Sequence, residues 1–176
     1  MTTFDPLLPA WYVLHTRSRH EETVRTGLTK KSVTVFLPKI ATPSRRRDRR
    51  VVLQVPLFPG YIFVHTSLAP EKHLNILKTV GAVRLIGSSK GPLPVPPGAI
   101  ESLKIMVASD REVETGNTFR RGDRVMVTQG PFTGVSGVFV RFKGRTRIMV
   151  NIEALGQFAA VEVQADDVIP LSDAAG

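Results

Sequence analysis

The sequence contains no cysteine among its 176 residues. Disulfide bonds, thiol nucleophiles, cysteine-bound zinc fingers and iron–sulfur clusters are therefore excluded. No hydrophobic run approaches the roughly 18 consecutive apolar residues that a membrane-spanning helix needs. The N-terminal residues also lack the basic start and apolar stretch of a secretory signal, so we expect a soluble, cytoplasmic protein with no membrane partner.

Familiar catalytic and cofactor-binding patterns are also missing. The sequence has no GxxxxGK[ST] phosphate loop, no GxGxxG fingerprint, no GxSxG nucleophile elbow and no HExxH zinc motif. The histidines, at positions 15, 20, 65 and 73, never occur at the i, i+4 spacing that brings two metal ligands to one helical face. We therefore expect no enzyme, no metal and no cofactor.

Acidic residues are outnumbered, and the imbalance is confined to one part of the chain. Lys and Arg number 24 against 15 Asp and Glu, which gives a formal net charge of +9. Residues 1–110 hold 16 basic and 7 acidic residues, whereas residues 111–176 hold 8 of each. A one-sided positive charge favours a polyanionic partner, usually nucleic acid; a basic surface without a ligand is the alternative.

Hydrophobic patterning before residue 109 predicts a sheet covered by helices. Ser18 and Glu21 have the spacing of a capping box, which predicts a helix that runs to about residue 31. The other predicted helices are residues 71–78 and 99–108, and the predicted strands are residues 10–15, 33–37, 51–55, 61–65 and 83–86.

The composition changes after residue 108. Residues 109–119 lack apolar periodicity and are predicted to form a linker. Beyond them, β-forming stretches punctuated by glycines predict a small β-barrel, because about five short strands fit in about 50 residues. The predicted strands are residues 124–128, 135–141, 146–151, 158–163 and 168–170. Each glycine would destabilise a helix by about 1 kcal/mol, so we expect that the C-terminal region is not helical.

The densest charge lies between two predicted strands, where five of the six residues 45–50 are arginine. They are Arg45, Arg46, Arg47, Arg49 and Arg50. Such a cluster is too charged for a core, and the guanidinium group suits phosphates by its planar fork and bases by stacking. We interpret this basic loop as a nucleic-acid contact that Arg17 and Arg19 extend, with a solvated loop as the alternative.

A set of aromatic residues is a second candidate site. Its members are Trp11, Tyr12, Phe58, Tyr61 and Phe63. Tyr61 and Phe63 are two positions apart on a predicted strand, so they share one face. An aromatic face beside a charged loop is typical of a partner-binding patch, although composition alone favours a place in the core.

Five segments of the chain resemble, in order, those of the NusG family of transcription elongation factors. WYVLHTRSRHE is similar to the opening strand and helix, PLFPGYIFV contains the FPGY signature, and TVGAVRLIG is similar to a strand near the end of the N-terminal domain. GDRVMVTQGPFTGVSGVFVRF is similar to the KOW motif, and NIEALGQFAAVEVQADDVIPL to the rest of that domain. The resemblance covers about residues 10–171.

The resemblance implies an α+β protein of two domains. An N-terminal NGN α/β sandwich, residues 8–109, is joined by a flexible linker, residues 110–119, to a small KOW β-barrel, residues 120–172. It also implies a non-enzymatic monomer that binds the clamp helices of the largest subunit of RNA polymerase. There the NGN domain bridges the DNA cleft and suppresses pausing or termination.

The resemblance also assigns residues to the polymerase and nucleic-acid contacts. Those that match the depression for the clamp helices are His15, Phe58, Tyr61 and Phe63. Arg17 and Arg19 match a surface that faces the non-template DNA strand. Lys72 and His73 match a segment that contacts the opposing gate loop in one branch of the family. The ligand of the basic loop itself is DNA or nascent RNA.

The C-terminal loop departs from the general NusG pattern. Glu153, Leu155 and Gln157 match the loop by which NusG contacts Rho or a ribosomal protein, but Phe and Arg are usual where Leu155 and Gln157 stand. This departure, the PLPVPPGAIESL segment and the basic loop favour a specialised paralogue of the RfaH, UpxY or LoaP kind, which acts on particular operons. The alternatives are a general NusG and, in another class, a stand-alone KOW-type RNA-binding or ribosome-associated protein.

Overall fold

The computed structural model describes residues 4–44, 52–117 and 121–171. Contacts divide the chain into two compact units, residues 1–95 and residues 96–176, and each is described by itself. Within the described ranges, no helix has both the length and the apolar character needed to cross a membrane.

The first unit is built on an antiparallel four-stranded sheet with strand order β2-β5-β1-β6. Its elements are β1 (Ala10–Thr16), α1 (Glu21–Lys30), β2 (Thr34–Phe36), β3 (Lys39–Pro43), β4 (Val52–Pro56), β5 (Tyr61–Thr66), α2 (Pro70–Leu77), β6 (Ala82–Leu85), β7 (Gly87–Ser88) and β8 (Gly91–Pro92). All the strands and helices predicted before residue 87 are present within a few residues. The second strand, β2, is shorter than predicted.

One face of this sheet forms the core with the two helices. Alternate residues of the strands turn to this side, because successive side chains on a strand point to opposite faces. The buried cluster comprises Tyr12, Leu14, Val24, Leu28, Ile62, Val64, Ile76 and Leu85. Val24 and Leu28 lie four residues apart on α1, and Ile76 comes from α2. The helices therefore cover one face of the sheet, and the intervening residues of each strand point to the opposite face.

Tyr12 is a polar exception within this core. Its side chain is fully buried, and its hydroxyl group has no hydrogen-bond partner among the described residues. Desolvation by burial raises the pKa of Tyr12 above its usual value of 10.0. The folded protein therefore keeps the phenol neutral at a pH where the unfolded chain releases the proton.

We expect Tyr12→Phe to leave the free energy of unfolding near neutral pH within about 1 kcal/mol of the wild type, or to raise it, because it removes an unpaired buried hydroxyl. The raised pKa of Tyr12 also makes the free energy of unfolding depend on pH. This free energy keeps its full value below pH 10 and falls as the pH rises through the raised pKa of the folded protein. Between pH 8 and pH 11, the free energy of unfolding measured in urea should therefore fall less in Tyr12→Phe than in the wild type. An equal loss in both proteins would contradict this account.

The predicted capping box at the start of α1 is wrong. The helix begins at Glu21, its cap residue is His20, and no side chain caps it. Arg19 has φ of 60° between Ser18 and the helix, so the chain turns sharply before the helix begins. Glu21, which is 8% exposed, accepts a hydrogen bond from the backbone N–H of Gly60 instead, with 2.8 Å between N and Oε1. The carboxylate of Glu21 thus makes a tertiary contact with Gly60 in place of the predicted local contact at the start of α1.

A two-stranded ribbon, β3 paired with β4, projects the chain toward the basic loop. The sequence predicted β4 but missed β3, whose residues Lys39–Pro43 contain a proline at the end and a lysine at the start. The five arginines of the basic loop lie outside the described residues.

The second unit contains a six-stranded antiparallel sheet with strand order β14-β10-β11-β12-β13-β9. Its elements are α3 (Pro97–Ala108), β9 (Glu114–Asn117), β10 (Asp123–Val127), β11 (Ser136–Phe142), β12 (Arg145–Ile152), β13 (Gln157–Glu162) and β14 (Val168–Pro170). The five predicted C-terminal strands are all present. Gly137 is required in β11 because a Cβ there would lie 2.3 Å from the carbonyl oxygen of Met149.

Two features of the second unit differ from the sequence interpretation. Strand β9, Glu114–Asn117, lies within the predicted linker and pairs with β13. Helix α3 groups with the second unit, where the hydroxyl group of Ser102 accepts the N–H of Ser136 at 3.1 Å. The assignment of this helix to an N-terminal domain of residues 8–109 stays a prediction. The strands themselves give the chain the mixed α+β class that the sequence predicted.

Candidate functional site

The candidate site is the face of the first sheet that lies opposite α1 and α2, called here the aromatic face. Strand register places its members side by side, since Trp11 pairs with His65, Val13 with Phe63, and His15 with Tyr61. The face comprises Trp11, Val13 and His15 of β1, Thr34 and Phe36 of β2, Tyr61, Phe63 and His65 of β5, and Arg84 of β6. The sheet thus collects six aromatic or imidazole rings on one side.

Three of the four predicted polymerase-binding residues, His15, Tyr61 and Phe63, lie on this face, and the fourth, Phe58, packs against Phe63 from the turn before β5. His15 and Tyr61 stack with ring centroids 5.2 Å apart and planes at 29°, and both are partly exposed. Phe58 and Phe63 pack edge to face at 6.3 Å and are buried. A partner can therefore touch the His15–Tyr61 pair, whereas Phe58 and Phe63 form the apolar floor beneath the surface.

Two further ring pairs extend the aromatic face, and sequence reasoning missed two of their four members, His65 and Phe36. Trp11 and His65 have ring centroids 5.1 Å apart, and Phe36 and Phe63 stack at 6.0 Å. The signal for His65 was its position two residues beyond Phe63 on the same strand. Phe36 lies on β2, and only the register Phe36 to Phe63 places it here.

The turn before Tyr61 holds the exposed ring of the candidate site in place. Gly60 has φ of +87°, a left-handed conformation that favours glycine. Its N–H donates to Glu21, and its carbonyl oxygen accepts the N–H of Thr16 at 2.8 Å. The FPGY segment is therefore fixed from both sides, by the first turn of α1 and by the end of β1.

Glu21→Ala is expected to lower the free energy of unfolding by about 1.5–3 kcal/mol, because it removes the buried, charged acceptor of the Gly60 N–H. Glu21→Gln keeps a side-chain oxygen at this position and should lose less. Urea denaturation of both variants measures the difference. If the alanine and glutamine variants lose the same stability, the hydrogen bond to Gly60 does not hold the turn.

The predicted nucleic-acid-binding residues that the structure describes, Arg17 and Arg19, lie between the end of β1 and the start of α1. Arg17 and Arg19 are exposed, and the backbone N–H of Arg17 donates to the carbonyl oxygen of Gly81 at 2.8 Å. Lys72, in α2, is also exposed, and its neighbour His73 is partly buried. Their exposure makes Arg17, Arg19 and Lys72 accessible to a nucleic acid or a protein.

A shallow basic groove between α1 and the end of α2 was not found from the sequence. Its lining includes Lys30, Lys31 and Lys78, together with Thr26 and Thr79. The ammonium group of Lys31 donates to the carbonyl oxygen of Asn75 at 2.9 Å and to the hydroxyl group of Thr79 at 3.1 Å. The two helices bring these lysines together although they are far apart in the sequence.

The predicted partner loop of the second unit joins β12 to β13. Glu153 and Leu155 lie in a single 3₁₀ turn that ends at Gly156 with φ of +62°, and Gln157 begins β13. Glu153 is exposed, while Leu155 and Gln157 are partly buried. Within the described ranges, no group of three or more His, Asp or Glu side chains could hold a metal ion.

Known proteins resemble the chain over almost its whole length. The NusG proteins of Thermus thermophilus and Bacillus subtilis, each called a transcription termination/antitermination protein, are both 26% identical to it. The alignments cover 90% of this chain and 97% of the Thermus protein, and 88% of this chain and 94% of the Bacillus protein. A solved structure described as domain interaction in Thermotoga maritima NusG shares the fold, with a TM-score of 0.54, 23% identity and coverage of 93% and 98%.

The family assignment follows from the match between this chain and a sequence model of a protein family. The model described as transcription termination factor nusG matches residues 9–104, more than half of the chain. This range contains β1, the FPGY turn and the whole aromatic face. The prediction of a non-enzymatic transcription factor is confirmed by this match. The chain belongs to the NusG family.

Proposed function

We propose that this chain is a transcription elongation and antitermination factor that binds RNA polymerase through its aromatic face. The observation that carries the proposal is the partly exposed His15–Tyr61 stack, which lies on the side of the sheet opposite the core helices. The names of the NusG relatives, transcription termination/antitermination proteins, support the same activity.

The geometry of the aromatic face suits a helical partner. Tyr61 and His15 offer a large contact area with few rotatable bonds, and Phe58 and Phe63 support them from below. Aromatic anchors of this kind, above a packed floor, dominate the binding energy of protein interfaces. The partner that the family resemblance implies is the pair of clamp helices on the largest subunit of RNA polymerase.

The proposed mechanism involves no covalent chemistry. An NGN domain, residues 8–109, seats the clamp helices and bridges the DNA cleft, so that binding favours the closed clamp over the paused state. A ligand shifts such an equilibrium only by its difference in affinity for the two states. A preference of about 1.4 kcal/mol for the closed clamp changes the pause equilibrium about tenfold.

Nucleic acid is the second proposed partner. The basic loop, with Arg17 and Arg19 on the same unit, supplies cations on the part of the chain that carries all the net charge. The KOW domain, residues 120–172, presents Glu153, Leu155 and Gln157 for a contact with Rho or a ribosomal protein. Replacement of the usual Phe and Arg in this loop supports a specialised, operon-specific role.

Affinity purification of the tagged protein from its own cells, with sequencing of crosslinked DNA from the same sample, tests this function. We expect polymerase together with DNA from one or a few long operons. Polymerase with DNA from most transcribed genes would instead indicate a general factor. Recovery of ribosomes or RNA without polymerase would contradict the proposal and favour a stand-alone RNA-binding protein.

A further inference from the structure

Arg84 lies on β6, the edge strand of the first sheet, and shares a face with the His15–Tyr61 pair. Arg84 pairs directly with His15, and His15 pairs with Tyr61. The next pair, Leu14 with Leu85, turns to the buried core on the other side of the sheet. Arg84, His15 and Tyr61 therefore form one row that crosses three adjacent strands.

The charge of Arg84 is not neutralised within the described part of the chain. Its side chain is exposed, and it forms no salt bridge with any described carboxylate. The nine positions of the aromatic face include no Asp or Glu. Glu21, which supports the turn at Gly60, is 8% exposed and is engaged by the N–H of Gly60. An approaching carboxylate would thus meet a cation without a competing acid on this face.

The row also has the chemistry of a carboxylate site. Directly opposed residues in antiparallel strands have Cβ atoms about 4.5–5.5 Å apart, so Arg84 and Tyr61 each flank His15, and the long side chain of Arg84 can reach a ligand group beside His15. The guanidinium of Arg84 offers a planar fork of donors that matches a carboxylate, and the imidazole and phenol beside it can also donate. The other six positions of the aromatic face carry four rings, Val13 and Thr34, and none carries a lysine of the kind that tracks a phosphate backbone.

We propose that Arg84, together with His15 and Tyr61, binds an Asp or Glu side chain on the helical element that docks on the aromatic face. This inference rests on the proposed function, since it concerns the same face and the same partner. The aromatic rings supply most of the contact area, and Arg84 fixes the register of the partner helix by pairing with one acidic residue. Arg84 is thus a specificity-determining residue at the edge of the interface.

The test compares charge-reversed variants in binding to core RNA polymerase free of nucleic acid. We expect Arg84→Gln to weaken binding about tenfold and Arg84→Glu about 100-fold, with a slower and salt-dependent association, as is typical of a charge at the edge of an interface. Lys90→Glu is the matched control, because Lys90 is an exposed cation at the turn between β7 and β8, off the aromatic face. Each variant should keep the circular dichroism spectrum and unfolding midpoint of the wild type.

Two further measurements make the result specific. An Asp or Glu to Lys change in the docked polymerase helix should restore binding of Arg84→Glu, and failure of every acidic position there to do so would overturn the proposal. Equal losses in Arg84→Glu and Lys90→Glu, or a loss confined to naked DNA or RNA, would also overturn it. If Tyr61→Ala loses polymerase binding while Arg84→Glu does not, this inference fails and the proposed function stands. If neither variant loses binding, both fail.

Discussion

Tyr61→Ala is expected to abolish co-purification of RNA polymerase while the protein remains folded. The ring of Tyr61 is partly exposed in the free protein and stacks on His15, so its removal leaves the buried floor of Phe58 and Phe63 in place. Truncation of an aromatic anchor at the centre of an interface costs about 2–4 kcal/mol, which corresponds to a loss of affinity of roughly 30- to 1,000-fold. A binding titration with purified polymerase measures this loss of affinity.

Leu74→Ala is the matched control for this prediction. Leu74 is also a large, exposed apolar residue, but it lies on α2, the helix whose Ile76 packs against the opposite face of the sheet. It should retain wild-type affinity for polymerase. If Tyr61→Ala binds as tightly as Leu74→Ala, the aromatic face is not the polymerase site, and the proposed function loses the observation that carries it.

The strands and helices were predictable because their residues follow the period of the element. Residues 10–15 and 61–65 alternate between the core and the aromatic face, and both became strands close to the predicted bounds. In the second unit, glycines such as Gly137 mark positions where strands approach each other closely, which favoured a sheet over a helix. Local chemistry and tertiary structure agree at these positions, so the sequence is sufficient there.

The failures arise where a tertiary contact replaces the local one. Glu21 has the spacing of a capping box, yet its carboxylate reaches the N–H of Gly60, 39 residues away. Strand β9 has the composition of a linker, ETGN, and is held by its pairing with β13. In both cases the partner lies too far along the chain for any short window of sequence to reveal it.

The candidate site was predicted only in part for the same reason. Tyr61 and Phe63 could be placed on one face from their spacing, but the additions of Phe36 and Arg84 depend on which strands are neighbours. Burial also divides the predicted set, because Phe58 and Phe63 lie below the surface that a partner reaches. Sequence reasoning found Trp11, Tyr61 and Phe63 of the site, whereas strand order was needed to bring Phe36 and Arg84 to the same face.

The second large effect is expected from the basic loop. Replacement of all five arginines, Arg45, Arg46, Arg47, Arg49 and Arg50, by glutamine should flatten the dependence of nucleic-acid affinity on salt. Each arginine that neutralises a phosphate releases a counterion, which contributes about 0.9 to the slope of log affinity against log salt for duplex DNA and about 0.7 for a single strand. Five contacts therefore remove about 4.5 or 3.5 from the slope. Titrations of a labelled duplex and a labelled single strand at several salt concentrations measure both values.

The control must separate contact from charge, since the replacement also lowers the net charge of +9 by five. A second variant therefore replaces five other exposed cations, Lys90, Lys104, Arg121, Arg124 and Arg141. It has the same net charge, so long-range attraction weakens equally in the two proteins. An equal slope change in both variants would mean that the basic loop acts through its charge alone and touches no phosphate. A change confined to the loop variant would show that the basic loop contacts phosphates, and its size against the two ligands tells whether the bound strand is paired.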